Sequence, residues 1–311
     1  MSTYWRKLGL LYTLPPEGVH PLLRSHVANP LPVHLRGDVY RIFYSARDRD
    51  KRSSVGAVDI DIVTRQVVHV HTEPVFSFGP AGSFYADGVS IGNCYQANGV
   101  TYMLFMGWQN PPDGHWRGDV GRLRVGPDLA LSLDSAEPFL SSDAIDPISL
   151  SYPWVERYSA DAYRMWYGST LTWDAGNGEM IHCFNGATST DGHAWQKTGL
   201  AIPYELNTAQ AFSRPTVLRS ESGLHEMWFS YRSGTGESYR IGYAHSTDGD
   251  TWILDVAKAG IGVSSEGWDA QMIEYPYVFR HDNAIYMLYN GNGNGQSGFG
   301  LAIREQSDGG V

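Results

Sequence analysis

Two carboxylates stand in short, strand-like segments beside aromatic residues: Asp87 in "FYADGVS" and Glu274 in "MIEYPYVF". A pair of this kind suits acid–base cleavage of an acetal, where one carboxyl group protonates the leaving oxygen and the other attacks or activates water. Each also has a plainer reading. Asp87 can stabilise the turn before Gly88, and Glu274 can serve as a hydrogen-bonding group or as the partner of Arg214. Cationic and polar residues cluster in comparable segments: His26 and Asn29 in "SHVANP", Arg47 and Asp48 in "YRIFYSARDRD", Arg214 in "SRPTV" and Arg232 in "HEMWFSYR". Trp108, Tyr152, Tyr275 and Asn290 complete a set that suits sugars. Hydroxyls need paired donors and acceptors, and the apolar faces of sugar rings rest on aromatic rings. Asp48 is either a substrate ligand or part of a solvated charge run. Arg24, His26, Arg47, Arg214 and Arg232 are also the cations that would hold a phosphate, and Arg214 has the alternative of a salt bridge to Asp87 or Glu274.

Something must bring these scattered segments together, and an internal repeat does so. "YRIFYSAR" at Tyr40, "YMLFMGWQ" at Tyr102, "YRMWYGST" at Tyr163, "HEMWFSYR" at His225 and "YMLYNGNG" at Tyr286 resemble one another at intervals of 62, 61, 62 and 61 residues. Each follows an upstream strand and precedes a Gly-rich loop, a third strand and a fourth strand near a Trp. Four antiparallel strands repeated five times predict an all-β, five-bladed β-propeller, one domain over residues 1–311. The fifth copy lacks a fourth strand and ends in a degenerate "SDG" at 307–309. The "W-x-K-x-G" pattern of Trp195–Gly199 recurs at Trp5–Gly9, so the amino-terminal strand is expected to pair in the last blade and close the ring. Inner-strand starts and the loops between second and third strands would then converge on one central funnel. Asp87 and Glu274 would come from non-adjacent blades, which favours the wider ~6.5–9.5 Å spacing of inverting enzymes. Trp166 and Trp228 are expected to pack between blades.

Composition narrows the partners. The 311-residue chain has a formal net charge of −10 and no basic stripe, which argues against nucleic acid. Cys94 and Cys183 fit neither a disulfide framework nor a metal-ligand spacing. No signal peptide and no 18-residue apolar run are read, so a soluble, cytoplasmic protein without membrane partners is expected. There is no HExxH, GxSxG or nucleotide fingerprint.

The motifs "SHVANP", "FYADGVS", "SRPTV", "MIEYPYVF" and "YNGNGNGQSGFGLA" resemble a group of glycosidase-like five-bladed propellers related to glycoside hydrolase families 43, 32 and 130. The likeness covers almost the whole chain. It implies a hydrolase acting on a small carbohydrate or glycoconjugate. It also admits a phosphate-dependent glycoside phosphorylase, or a propeller that only binds carbohydrate or was recruited to other chemistry. The chain departs from the three-acid pattern of families 43 and 32: Asn29-Pro30 stands where Asp-Pro is expected in blade one, Tyr152-Pro153 where blade three would offer Glu, and Glu156 lies farther along. No cofactor is expected. The resemblance admits a Ca²⁺ in the channel, although no run of ligands marks one.

Overall fold

The computed structural model describes residues 4–112, 114–220 and 222–305. The alternating aromatic and β-branched segments form strands, and the only other regular structure among the described residues is two short 3-10 turns, Pro127–Leu129 and Val256–Ala259. β1 (Arg6–Tyr12) comes first. The first four-stranded unit is β2 (Ser25–Arg36), β3 (Val39–Arg47), β4 (Ser53–Asp61) and β5 (Gln66–Phe76). The second is β6 (Gly88–Ala97), β7 (Val100–Gln109), β8 (Arg117–Val125) and β9 (Leu131–Leu133). The third is β10 (Leu150–Ser159), β11 (Ala162–Thr172), β12 (Ile181–Ser189) and β13 (Gln196–Ile202). The fourth is β14 (Ala211–Arg219), β15 (His225–Arg232), β16 (Arg240–Ser246) and β17 (Ile253–Leu254). The last unit has β18 (Glu274–His281), β19 (Ala284–Asn290) and β20 (Phe299–Glu305), and β1 pairs antiparallel with β20 as its fourth strand. Single parallel bridges, Ser53–Gly88 and His182–Ala211, join the first unit to the second and the third to the fourth. The first strands of the units touch in sequence: β2 packs on β6, β6 on β10, β10 on β14, β14 on β18, and β18 on β2.

β1 carries the same local geometry as β13. Both have a register shift between the Lys and Gly of the repeated pattern, with Gly9 at φ +96° and Gly199 at φ +83°. Glycine adopts that conformation without the steric cost a Cβ would bring. The Trp that immediately precedes β1 and the one that precedes β17 pack between units. Trp5 meets Trp228 edge-on with centroids 5.6 Å apart, and Trp252 meets Trp166 in the same way at 5.6 Å. The "SDG" at 307–309 lies outside the described residues. No helix among the described residues is long and apolar enough to cross a membrane.

Each first strand contains a β-bulge at a corresponding position, where two residues oppose one on the next strand. The bulged pairs are Asn29-Pro30, Gly92-Asn93, Tyr152-Pro153, Arg214-Pro215 and Tyr275-Pro276. Asn29, Tyr152, Arg214 and Tyr275 all hold positive φ. Asp87 does not correspond to Asn29, because the second-unit counterpart is Gly92. A Cβ on Gly92 would sit 2.6 Å from the Pro153 carbonyl oxygen, so close packing on the third unit excludes a larger residue there.

Side chains near the bulges brace one unit to the next. Asn93 donates to the Val155 carbonyl at 2.9 Å and accepts its N–H at 3.1 Å. Asn290 donates to the Val27 carbonyl at 2.9 Å and accepts the Asn29 N–H at 2.9 Å. Arg214 donates to the Tyr275 carbonyl at 2.7 Å and the Pro30 carbonyl at 2.8 Å, reaching the fifth and first units from the fourth.

Candidate functional site

A cavity of about 440 Å³ opens where the mouths of the first strands meet the loops between second and third strands. That volume suits a small-molecule site. Of the sequence-derived residues, Asn29, Arg47, Trp108, Tyr152, Arg232 and Tyr275 line it. Tyr152 and Tyr275 lie 5.4 Å apart by ring centroid, and Tyr239 follows at 6.4 Å from Tyr275. The Arg232 guanidinium stands 4.8 Å from the Tyr239 ring and pairs with Glu179 at 2.7 Å. On the opposite wall, Trp108 is fixed by its Nε1–H, which donates to Ser53 Oγ at 3.2 Å. Trp116 lines the cavity and meets Trp173 at 5.0 Å, while His115 stacks on Trp173 at 4.5 Å. The β7–β8 and β11–β12 loops thus share an aromatic rim. Asp113 lies outside the described residues.

Glu274 occupies the position just before its bulge. The counterparts in the other units are Ala28, Ile91, Ser151 and Ser213, and three of these line the cavity. Glu274 is fully buried, and neither carboxylate oxygen has a hydrogen-bond partner. Burial raises its pKa well above the usual carboxylate value, against the opposing fields of Arg47, Arg232 and Arg214. Burial thus favours the protonated form of this carboxyl. Two of the three cations that act on it, Arg47 and Arg232, line the cavity.

Other sequence candidates have different surroundings. Asp87 is absent from the cavity wall, and its Oδ2 accepts the Asn110 N–H at 2.7 Å, holding a loop residue that does line the cavity. The expectation that Asp87 and Glu274 look together into the open cavity is therefore corrected: one carboxylate holds a loop, and the other is fully buried at a position next to the wall's lining residues. Arg214 forms no ion pair with either acid. It is buried, its pKa is lowered to about 10 by desolvation, and two of its nitrogens serve backbone carbonyls. Asn290 is fully buried and engaged with Val27, Asn29 and Gly298. His26 is bonded to Ser25 at 2.9 Å, and burial together with the Arg47 charge lowers its pKa to about 4, so it is neutral at pH 7 and no cationic holder of phosphate. Asp48 is taken up by its own loop, with Arg52 at 2.9 Å.

Two contributors escaped the sequence reading. Lys51 lines the cavity from the charge run that contains Asp48. His182 lines it beside Ser151, at 2.6 Å, and Thr170, at 2.7 Å; burial lowers its pKa to about 3, so it acts as a neutral hydrogen-bonding group. Nothing in the "MIHCFNG" pattern distinguishes this His from a core residue. Among the described residues no Asp or Glu lines the cavity. Ca²⁺ requires oxygen ligands that include carboxylates in most sites, and this wall does not fit it. A group of Asp38, His281 and Asp282 has metal-ligand spacing, but none of the three lines the cavity.

No family model matches the chain. Two proteins of Mycobacterium tuberculosis, "Uncharacterized protein MT1551" and "Uncharacterized protein Rv1502", are each 39% identical to it over 303 residues, covering 97% of this chain and 99% of the relative. The chain belongs to their family. Solved structures share its fold. A "Glycoside hydrolase" superposes with a TM-score of 0.74 at 14% identity, covering 98% of this chain and 93% of the other. A putative glycosidase of Bacteroides thetaiotaomicron gives 0.71 at 14%, with 98% and 97% covered. The Bombyx mori GH32 beta-fructofuranosidase gives 0.65 at 12%, with 94% and 63% covered. The mycobacterial family thus has the fold of the glycosidase-like propellers. Identities this low carry the fold and leave the chemistry to the site.

Proposed function

We propose that the protein is a glycosidase-like enzyme that cleaves a glycosidic bond of a small carbohydrate or glycoconjugate in the central cavity, with Glu274 supplying the proton. In this reading the five units are the blades of a five-bladed propeller and β1 closes the fifth. The repeated bulges and the cyclic packing of first strands support that architecture. One observation carries the chemistry: Glu274 is a fully buried carboxyl with two unpartnered oxygens and a raised pKa, at a position whose counterparts line the cavity. An acetal oxygen leaves readily only when protonated, and an acid that stays protonated at neutral pH can provide that proton. Tyr152, Tyr275 and Trp108 offer faces for a sugar ring, and Asn29, Ser151 and Ser213 offer partners for its hydroxyls. Asp87 holds the Asn110 loop in place and so shapes the wall.

A second reading, phosphate-dependent cleavage, is favoured by the wall itself. It carries Arg47, Lys51 and Arg232 and no carboxylate. A phosphate oxygen would then bond to the anomeric carbon as the bond to the leaving oxygen breaks, and the leaving oxygen would take the Glu274 proton. Turnover of a panel of aryl glycosides, with and without inorganic phosphate, tests both readings. Cleavage that needs no phosphate and is lost in Glu274→Gln supports hydrolysis, and strict phosphate dependence supports phosphorolysis. Activity that persists in Glu274→Gln contradicts the assignment. Sugar binding without turnover of any substrate identifies a binding propeller instead.

A further inference from the structure

The loop between β3 and β4 holds more cations than it pairs. Residues 47–52 read RDRDKR, four cations against two carboxylates. Both carboxylates turn to the same cation, Arg52, with Asp48 at 2.9 Å and Asp50 at 3.4 Å. Asp48 is buried, and its Oδ1 accepts the N–H groups of Asp50 and Arg52, each at 2.9 Å. The Arg52 guanidinium lies 4.1 Å from the Phe78 ring centroid. These contacts hold the loop in one shape, with Lys51 at φ +66°. Arg47 and Lys51 have no hydrogen-bond or ion-pair partner for their side chains among the described residues, and both line the cavity.

The setting makes this unusual. The chain as a whole carries a formal charge of −10, yet this cavity has no lining carboxylate among the described residues. Fixed, unpaired cations in a concave wall concentrate anions there, while the acidic surface disfavours them elsewhere. Asn29, only 2% exposed, also lines the cavity, and its Oδ1 has no hydrogen-bond partner among the described residues. A ligand with hydroxyl donors and an oxyanion would satisfy both.

We propose that the cavity takes a saccharide that itself bears an oxyanion, phosphate or carboxylate, and that Arg47 and Lys51 clamp that group while Asp48 acts as the positioning residue of the clamp. The proposal rests on the carbohydrate reading above and adds the charge class of the substrate. Arg47 is one of the cations that act on Glu274, whereas Lys51 stands at the exposed rim and is not. The clamp therefore runs from the reacting end towards the mouth. A substituent on the sugar can follow that path, while a free phosphate at the anomeric carbon would need only the inner end.

Calorimetric titration of the full chain at low salt with glucose 6-phosphate, glucuronate, glucose and inorganic phosphate tests the clamp. The expected result is that at least one acidic sugar binds about tenfold or more tightly than glucose, with affinity falling as salt is raised. Lys51→Ala and Arg47→Gln should each weaken that sugar about tenfold. Asp48→Asn should weaken it while leaving glucose affinity unchanged, a split that general unfolding would not produce. Equal affinity for glucose and the acidic sugars, no binding of either acidic sugar, or a Lys51→Ala variant indistinguishable from wild type would overturn the proposal. Inorganic phosphate binding as tightly as the acidic sugars would also overturn it, by assigning the cations to free phosphate. Acidic-sugar binding without turnover of any glycoside leaves this inference standing and removes the cleavage reading.

Discussion

Glu274 and Glu156 are both carboxyl groups whose protons are held by burial, and they differ in what surrounds them. Glu274 lies in the fields of three guanidinium groups, two of them on the cavity wall, and still has its pKa raised. Glu156, near the outer end of β10, is raised to about 7 by burial against the fields of Arg219 and Arg164, with His225 at 3.8 Å. Glu274→Gln should lower kcat/KM by about 10²–10⁴-fold with the fold retained, the usual range for loss of a general acid, checked by steady-state kinetics and circular dichroism. The stability consequence has a definite sign. A carboxyl raised above its unfolded value binds more protons folded than unfolded, so its stabilising effect is present at low pH and is lost as pH rises. For Glu156 the loss falls between the unfolded value of 4.5 and about 7. Glu156→Gln should therefore raise the urea midpoint relative to wild type at about pH 8 and leave it little changed at about pH 4. Equal midpoints at both pH values would contradict a raised Glu156. Glu274 was legible from its place in "MIEYPYVF" beside a Tyr-Pro pair. Its protonation was not, because burial is set by side chains from other units, and neither was the commitment of Asp48 to Arg52.

The recurrent element is the bulged first strand. Four of the five bulges are X-Pro pairs, and each places a non-glycine residue at positive φ where the strand meets the cavity. Those four were legible because proline marks them. The fifth, Gly92-Asn93, has no proline, and Asp87 stands five residues before it in the chain. Arg214 shows how a bulge residue serves the fold. It points under the cavity and ties carbonyls of the first and fifth units, a role invisible in sequence because both acceptors are backbone. Arg214→Met should destabilise the protein by roughly 2–4 kcal/mol, since two buried carbonyls lose their donors. Chemical denaturation measures this. A change below about 0.5 kcal/mol would mean that the Arg214 bonds do not hold these units together.

At the scale of the molecule, β1 gives the account its sharpest structural test. Its pairing with β20 was legible from "WRKLG" because the same pattern occurs inside the chain, where it already forms β13, whereas the packing of Trp5 on Trp228 was not read. Removing residues 1–12 should expose the edge of β20 and uncover Trp228, giving a chain that is insoluble or has a much lower Tm, with stability regained on adding a peptide of that segment. A truncated chain as stable as the intact one would contradict closure by β1. The identity of the sugar was never legible, because the wall is assembled from all five units and its charge depends on which side chains pair elsewhere. The central claim, that a carbohydrate binds over Glu274, is tested most directly by a crystal structure of Glu274→Gln with a bound glycoside. The account predicts the sugar ring against Tyr152 and Tyr275, with its glycosidic oxygen within about 3.2 Å of the residue 274 side chain. A glycoside bound outside this cavity, or one whose acetal oxygens all lie beyond reach of residue 274, would contradict it.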